Sequence, residues 1–377
     1  MAYTETVKIG WGSRIGGSFR GIIVGIVLFI LAFPLLFWNE GRAVRATKTN
    51  AEGAAVVVEA SPDSVDPAME GKLVHVIGEA KTKDILKDDK FGVSENAIRL
   101  ERSIEMYQWV EESETKEKRN VGGSVTRTTT YTYAKEWCDE AVNSDGFKEK
   151  DHVNPPPPVQ LGDTDQYARN VSVGVRKLES SQIRAIGRSE PLAVKYKPVG
   201  TNEYFDVESA PPDPKVGDVR VTFKVVRPHT VTIVAAQNGS SFMSYTAKTG
   251  NSISHVKDGA VDAAGVFAAA ERSNAIVTWL LRLAGFLMML FGLSGVLKPL
   301  SVIADVLPIL GSIVSFGAGI VSFLLAAVCT LVTIAVAWIA HRPLFACILL
   351  AIAAALIWKL VMMRRAKRNE PPTAPAA

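Results

Sequence analysis

The chain of 377 residues is 48% hydrophobic and carries 42 Lys/Arg against 38 Asp/Glu, too apolar for a disordered chain and long enough for more than one domain. Residues 39–273 hold 31 basic and 35 acidic side chains, a net of −4, while the flanking segments together carry +8. The basic excess therefore belongs to membrane-flanking segments, and a nucleic-acid-binding face is excluded.

Residues 1–20 form a short tail with Lys8, Arg14 and Arg20, followed by 18 uncharged residues at 21–38 (GIIVGIVLFILAFPLLFW). That run is about long enough to cross the hydrocarbon core, and Trp11 and Trp38 suit its two interfaces. A basic start before an apolar run also fits a signal peptide, but Asn39-Glu40-Gly41-Arg42 offers no small-residue cleavage site, so 21–38 reads as a retained anchor.

Residues 39–274 form a large extramembrane domain dominated by strand patterns. Ile98, Leu100, Ile104, Met106 and Val110 share one face by alternation, and Val125, Tyr131, Tyr133 and Trp137 share one face of the next run, opposite a threonine row. With the charged, Gly-containing segment between them, 97–137 predicts a long β-hairpin. Further strands are expected at 54–60, 72–80, 170–176, 192–197, 218–226, 230–237 and 240–246, with a short helix within 175–187. Asn154 and Pro155–Pro158 make a stiff break between two possible subdomains. Cys138 is the single cysteine of this domain, so no internal disulfide is available and it must stand on its own core. Residues 261–274 favour helix and run into the next span, predicting one helix of about 37 residues over 261–297 that would couple domain to membrane rigidly.

The second span is 275–297, interrupted by Arg282, and Asp305 is the one acidic residue of 272–369. Residues 299–311, between Pro299 and Pro308, read as an interfacial helix or connector, about 312–339 as the third span and 344–363 as the fourth. The chain closes with a basic tail at 364–377, so 275–363 is expected as a three-helix membrane bundle. Four spans put both termini on one side, and both basic tails assign it to the cytoplasm. The fold class is then an integral membrane protein of four transmembrane helices with a large β-rich (α+β) domain, periplasmic or luminal, between the first and second. The expected locations are a bacterial inner membrane, or the endoplasmic reticulum and inner nuclear membrane of a eukaryote.

The chemistry-bearing residues are sparse. None of the five histidines stands at metal-ligand spacing to another His or Cys, and no nucleophile elbow, P-loop, zincin or dinucleotide motif occurs. No enzyme, cofactor or metal is expected, and Asp163-Thr164-Asp165 reads as an acidic turn rather than a calcium loop. Asn170-Val171-Ser172 and Asn238-Gly239-Ser240 are glycosylation sequons. The candidate membrane and assembly residues are Arg282, Asp305, Ser315, Gly319 and Arg342. Arg282 lies eight residues into its span, which fits snorkelling or a structural pair; an intramembrane charge is otherwise a functional site. Asp305 lies toward the opposite interface and suits a cap for the helix carrying Pro308. Ser315 and Gly319, near Gly311 and Ser312, allow close helix packing. Arg342 sits with His341 and Pro343 in a membrane turn.

An ordered set of motifs resembles the transmembrane protein 43 (LUMA) family: Asn39-Glu40-Gly41-Arg42-Ala43, residues 70–78 (EGKLVHVIG), Glu105–Val110, Tyr131-Thr132-Tyr133, Glu136-Trp137, Gly217–Val221, Arg272-Ser273-Asn274 and Arg342-Pro343-Leu344. The resemblance spans roughly 20–365. It implies four transmembrane helices, a luminal domain and self-association through the membrane segments. It further implies organisation of membrane protein complexes, with emerin and lamins as partners in animals. The chain departs from the animal pattern in its short N-terminal tail and its Pro-rich 155–158; in a bacterial member only the scaffold role carries over. The reading that follows is a non-enzymatic membrane scaffold, a homo-oligomer that engages the lipid bilayer and other membrane proteins. The alternative is a channel or transport component whose pore forms between protomers. A tethered hydrolase lacks a nucleophile–base set.

Overall fold

The computed structural model describes residues 3–156, 162–194, 204–205 and 213–341. Two compact units emerge: a β-rich unit of Met1–Gly10, Lys48–Asn120 and Ser124–Arg272, and a helical unit of Trp11–Thr47, Val121–Gly123 and Ser273–Ala377. Three helices are long and apolar enough to cross a membrane: α1 (Trp11–Val56), α3 (Ala263–Ala304) and α4 (Pro308–His341); α2 (Ser180–Ala185) is a short helix of the β-rich unit. The expected fourth span and Arg342 lie outside the described residues.

The expected hairpin is present as Arg99–Arg119 paired with Val125–Cys138 in fourteen consecutive register pairs. Alternation places Leu100, Ile104 and Met106 inward, as the pattern predicts. The inward slot between them at 102 is taken by Arg102, whose buried guanidinium pairs with Asp88 and donates to the Gly162 carbonyl at 2.6 Å. A charge can occupy that position because its partner is buried with it. The outer strands of this sheet are Val219–Val226 and Glu190–Leu192 on one side. On the other side the structure departs from expectation: Tyr3–Ile9, read as part of a tail, is a strand paired antiparallel with Val125–Tyr131. Its Thr4 and Thr6 extend the threonine row that the sequence shows at 126–132, and Thr6 Oγ1 lies 3.5 Å from Thr128 Oγ1.

The second sheet closes on itself. Leu73–Thr82 pairs with His229–Asn238 and with Val171–Val173; Val171–Val173 pairs with Arg176–Lys177; Arg176–Lys177 meets Ser241–Met243 in parallel, and Ser241–Met243 returns to His229–Asn238. Val74, Val76, Val171, Val173, Ile233 and Phe242 fill one cluster. Leu73, on the opposite pleat from Val74, joins Val234 and Ile253 in packing on Val266 and Phe267 of α3. Gly53 of α1 permits this layer, since a Cβ there would meet Phe267 Cε1 at 2.5 Å. The sequence reads 54–60 as a strand because of its valines, but α1 continues to Val56 and only Val58–Glu59 pairs. Packing against the sheet overrides β propensity there.

Two buried polar groups of this unit are structural. His75 bridges Glu59 Oε2 at 2.7 Å and the Val261 carbonyl at 2.8 Å. Arg176, fully buried, donates to the carbonyls of Ser61 and Ser64 and to Gln237 Oε1, and burial lowers its pKa. Among the described residues no group of acidic, His and Cys side chains could hold a metal.

α3 runs continuously from the β-rich unit's residues into the membrane segment, as the 261–297 helix predicts, and extends through Pro299 to Ala304. The expected 299–311 connector is thus reduced to residues 305–307. Pro308 begins α4, a position where a missing N–H costs nothing.

Two outcomes follow from these contacts. Cysteines replacing Thr6 and Thr128 in an otherwise cysteine-free chain should cross-link on mild oxidation, since directly opposed residues place their Cβ atoms about 4.5–5.5 Å apart; failure to cross-link would remove Tyr3–Ile9 from the sheet. His255, half-buried with its ring edge-on to Phe267 at 6.0 Å, has its pKa lowered from 6.5, chiefly by burial and secondarily by Lys257. A folded-state pKa below the unfolded value means that the unfolded chain binds the extra proton first, so stability falls as pH drops below about 6.5. In pH-dependent unfolding of the whole protein, His255→Gln should flatten this acid-side loss, and an unchanged profile would contradict the assignment.

Candidate functional site

The bundle contains two polar layers separated by an apolar stretch. One layer is built on Glu40, two residues past the apolar run of α1, with its carboxylate 3% exposed. Arg282 of α3 grips it with both arms, Nε to Oε1 at 2.6 Å and Nη2 to Oε2 at 2.9 Å. Trp338 of α4 donates its indole N–H to the same carboxylate at 2.8 Å. The guanidinium also lies over the Trp279 ring, 4.8 Å from its centroid. Glu40 therefore joins all three helices.

Helical spacing extends this layer toward the start of α3. Asn274, Thr278 and Arg282 recur every four residues and share one face. Arg42 donates to Asn274 Oδ1 at 3.1 Å and to Thr278 Oγ1 at 2.9 Å; Asn39 donates to the Thr278 carbonyl at 3.1 Å, and Asn274 donates to the Ala43 carbonyl at 3.2 Å. Asn39-Glu40-Gly41-Arg42 and Arg272-Ser273-Asn274, both singled out in the sequence, thus meet at the α1–α3 contact through Asn39, Arg42 and Asn274.

Between the layers the helices touch through glycine. A Cβ on Gly25 would lie 2.5 Å from the Gly292 carbonyl oxygen, and one on Gly295 would lie 2.9 Å from that of Gly21. Ala32, Leu36, Met289 and Ala326 complete this core. α1, expected as a separate anchor, is an integral member of the bundle. Within the bundle the backbones approach most closely at Gly21, Gly25, Gly292 and Gly295. Ser322 is fully buried, but Gly319 is exposed with nothing within 4 Å of its Cβ direction.

The second layer centres on Asp305, 1% exposed, which accepts from Arg14 Nη2 at 2.5 Å. Arg14 Nη1 also donates to the Gly123 carbonyl at 2.6 Å, Trp11 donates to the Val302 carbonyl at 2.9 Å, and the Gly122 N–H reaches the Val306 carbonyl at 3.0 Å. Gly123 adopts φ +76°, and a Cβ would strike Trp11 at 2.3 Å, so glycine is required on both counts. Gly311 leaves room for the Asp305 carboxylate. Arg282 and Asp305 each have a partner, but not each other.

Sequence does not identify Glu40 and Trp338 as partners within the Arg282 layer, nor Arg14 as the partner of Asp305. The signal for Glu40 was an acid at the end of an apolar run together with one basic residue inside the next, two charges that each need a partner in lipid.

The sequence comparisons point the same way as the motif order. Residues 106–343 match the family model described as Transmembrane protein 43. The rat protein named Transmembrane protein 43 (Rattus norvegicus) is 34% identical over 366 residues, covering 92% of this chain and 90% of its own; the human one (Homo sapiens) is 33% identical, covering 91% and 90%. A Drosophila melanogaster protein named Transmembrane protein 43 homolog is 28% identical, covering 89% and 93%. No solved structure matches.

The glycine contacts make a discriminating pair of variants. Gly25→Leu should destabilise the bundle by about 1–3 kcal/mol or more through overpacking, whereas Gly319→Leu should leave thermal unfolding in detergent unchanged. Equal effects at the two sites would contradict this packing.

Proposed function

Because the chain belongs to the transmembrane protein 43 family, we propose that it is a non-enzymatic membrane scaffold that self-associates and organises other membrane proteins. The carrying observation is electrostatic. Glu40 and Asp305, the only acids among the described residues of the helical unit, each close an ion pair inside it. A water-filled path needs polar groups that face it, and these are turned toward each other. The charges serve to fix helices.

The outer surface supports assembly. Ile309, Ile313 and Phe316 are 75%, 62% and 73% exposed, and Gly319 opens the same helix to close approach by a neighbour. Lipid or a second copy can cover that face without desolvating a charge. The endoplasmic reticulum and inner nuclear membrane belong to this proposal, as the family resemblance implies, and so do membrane-protein partners there.

Light scattering of the purified protein in mild detergent tests the reading together with ion flux in liposomes. The wild type should have oligomeric mass, Gly319→Leu a smaller mass with unchanged unfolding, and both should give flux at the level of empty liposomes. Flux through the wild type that Arg282→Ala abolishes would favour a channel, and monomeric wild-type mass would remove self-association.

A further inference from the structure

On the membrane face of α1 and α4 a cavity of about 630 Å³ is lined by Phe33, Phe37, Trp38, Val332 and Val336, with Arg45 at one end. Its side chains are half open to the outside: Phe37, Val332 and Val336 are 39%, 56% and 52% exposed. Of the polar side chains in its wall, Thr333 donates to the Cys329 carbonyl at 2.7 Å and the His341 ring packs on Phe37 at 5.0 Å. The Trp38 ring and the charged Arg45 mark the interfacial end, and Phe33 lies toward the middle of the apolar run.

We propose that this groove binds one acyl chain of an anionic membrane phospholipid, with the phosphate held by Arg45. Two features select this occupant. From Phe33 to Arg45 is twelve residues of helix, or about 18 Å at 1.5 Å per residue, the reach of a phospholipid acyl chain. The groove is also mostly apolar, with the His341 ring beside Gly41 and the Arg45 guanidinium at the water end, which complements a chain ending in a negatively charged headgroup. A volume of this size with apolar walls and one polar end is typical of a small-molecule site. The proposal concerns the bundle's ligand and stands independently of the scaffold reading.

The test uses the full-length protein in nanodiscs containing phosphatidylcholine and a phosphatidylglycerol that bears a photoactivatable diazirine near the end of one acyl chain. Adducts should concentrate on residues 33–37 and 332–336, and unlabelled phosphatidylglycerol should compete about tenfold better than phosphatidylcholine, the size of a single charge-assisted contact. Arg45→Gln should erase that preference while keeping the adduct positions, and Val336→Trp, which fills the groove, should abolish the adducts. Because the wild-type map is informative by itself, a poorly folded variant leaves the proposal testable. Adducts spread evenly over Phe316, Phe323 and other outward residues would overturn it. So would cross-links from the groove to residues 344–363 that persist whatever the lipid, which would give the groove to the chain's own next apolar run.

Discussion

A carboxylate and a guanidinium removed from water are each costly, and neither is tolerated near hydrocarbon without the other. Arg282 alone in its span would cost about 2.5–3.5 kcal/mol on insertion scales. Its bidentate contact with Glu40 offsets that cost while fixing two helices whose contact residues are 242 positions apart in the chain. The indole of Trp338 adds α4 to the same carboxylate. Once this point is fixed, the spacing of Asn274, Thr278 and Arg282 along α3 aligns Asn39 and Arg42 of α1 with their acceptors, and the rest of the helix contact follows.

That contact changes character along the bundle. Near Glu40 it is polar and directional; through Gly21, Gly25, Gly292 and Gly295 it is backbone against backbone; at the far end Asp305 and Arg14 form a second ion pair. Hydrophobic burial cannot drive helices together in lipid, so close approach and paired charges have to. The division of labour explains how the outer faces of α3 and α4 can remain largely apolar, open to lipid or another copy. It also explains why a charged side chain within a span is compatible with a structural role.

Much of this was legible in the sequence wherever a pattern is local. Period-two alternation located the hairpin because Leu100, Ile104 and Met106 face one core, and the helix-favouring 261–274 joined its span because nothing there breaks a helix. Apolar runs located three membrane helices. Non-local facts were hidden. The valines of 54–60 suggested a strand, and only tertiary packing of Gly53 on Phe267 explains why α1 continues past it. The N-terminal strand was invisible as well, because seven residues that mix two charges and two threonines with Tyr3, Val7 and Ile9 become a strand only beside Val125–Tyr131. Arg282 and Asp305 were identified as residues needing partners, but the partners could not be chosen from spacing. The contact inside the chain runs instead through Gly21, Gly25, Gly292 and Gly295, which sequence does not rank above the stripe at Ser315 and Gly319, since several helices carry small residues at such spacing.

The central claim is that Glu40 and Arg282 act as one unit in holding the bundle. A double-mutant cycle of Glu40→Leu and Arg282→Leu, read by unfolding of the detergent-solubilised protein, addresses it directly. Each single change should lose about 3–5 kcal/mol by stranding a buried charge, and the double variant should recover most of that loss because a hydrophobic pair replaces an ion pair at small net cost. Losses that simply add, within about 0.5 kcal/mol, would show that the two residues act independently and that something else holds α1 to α3.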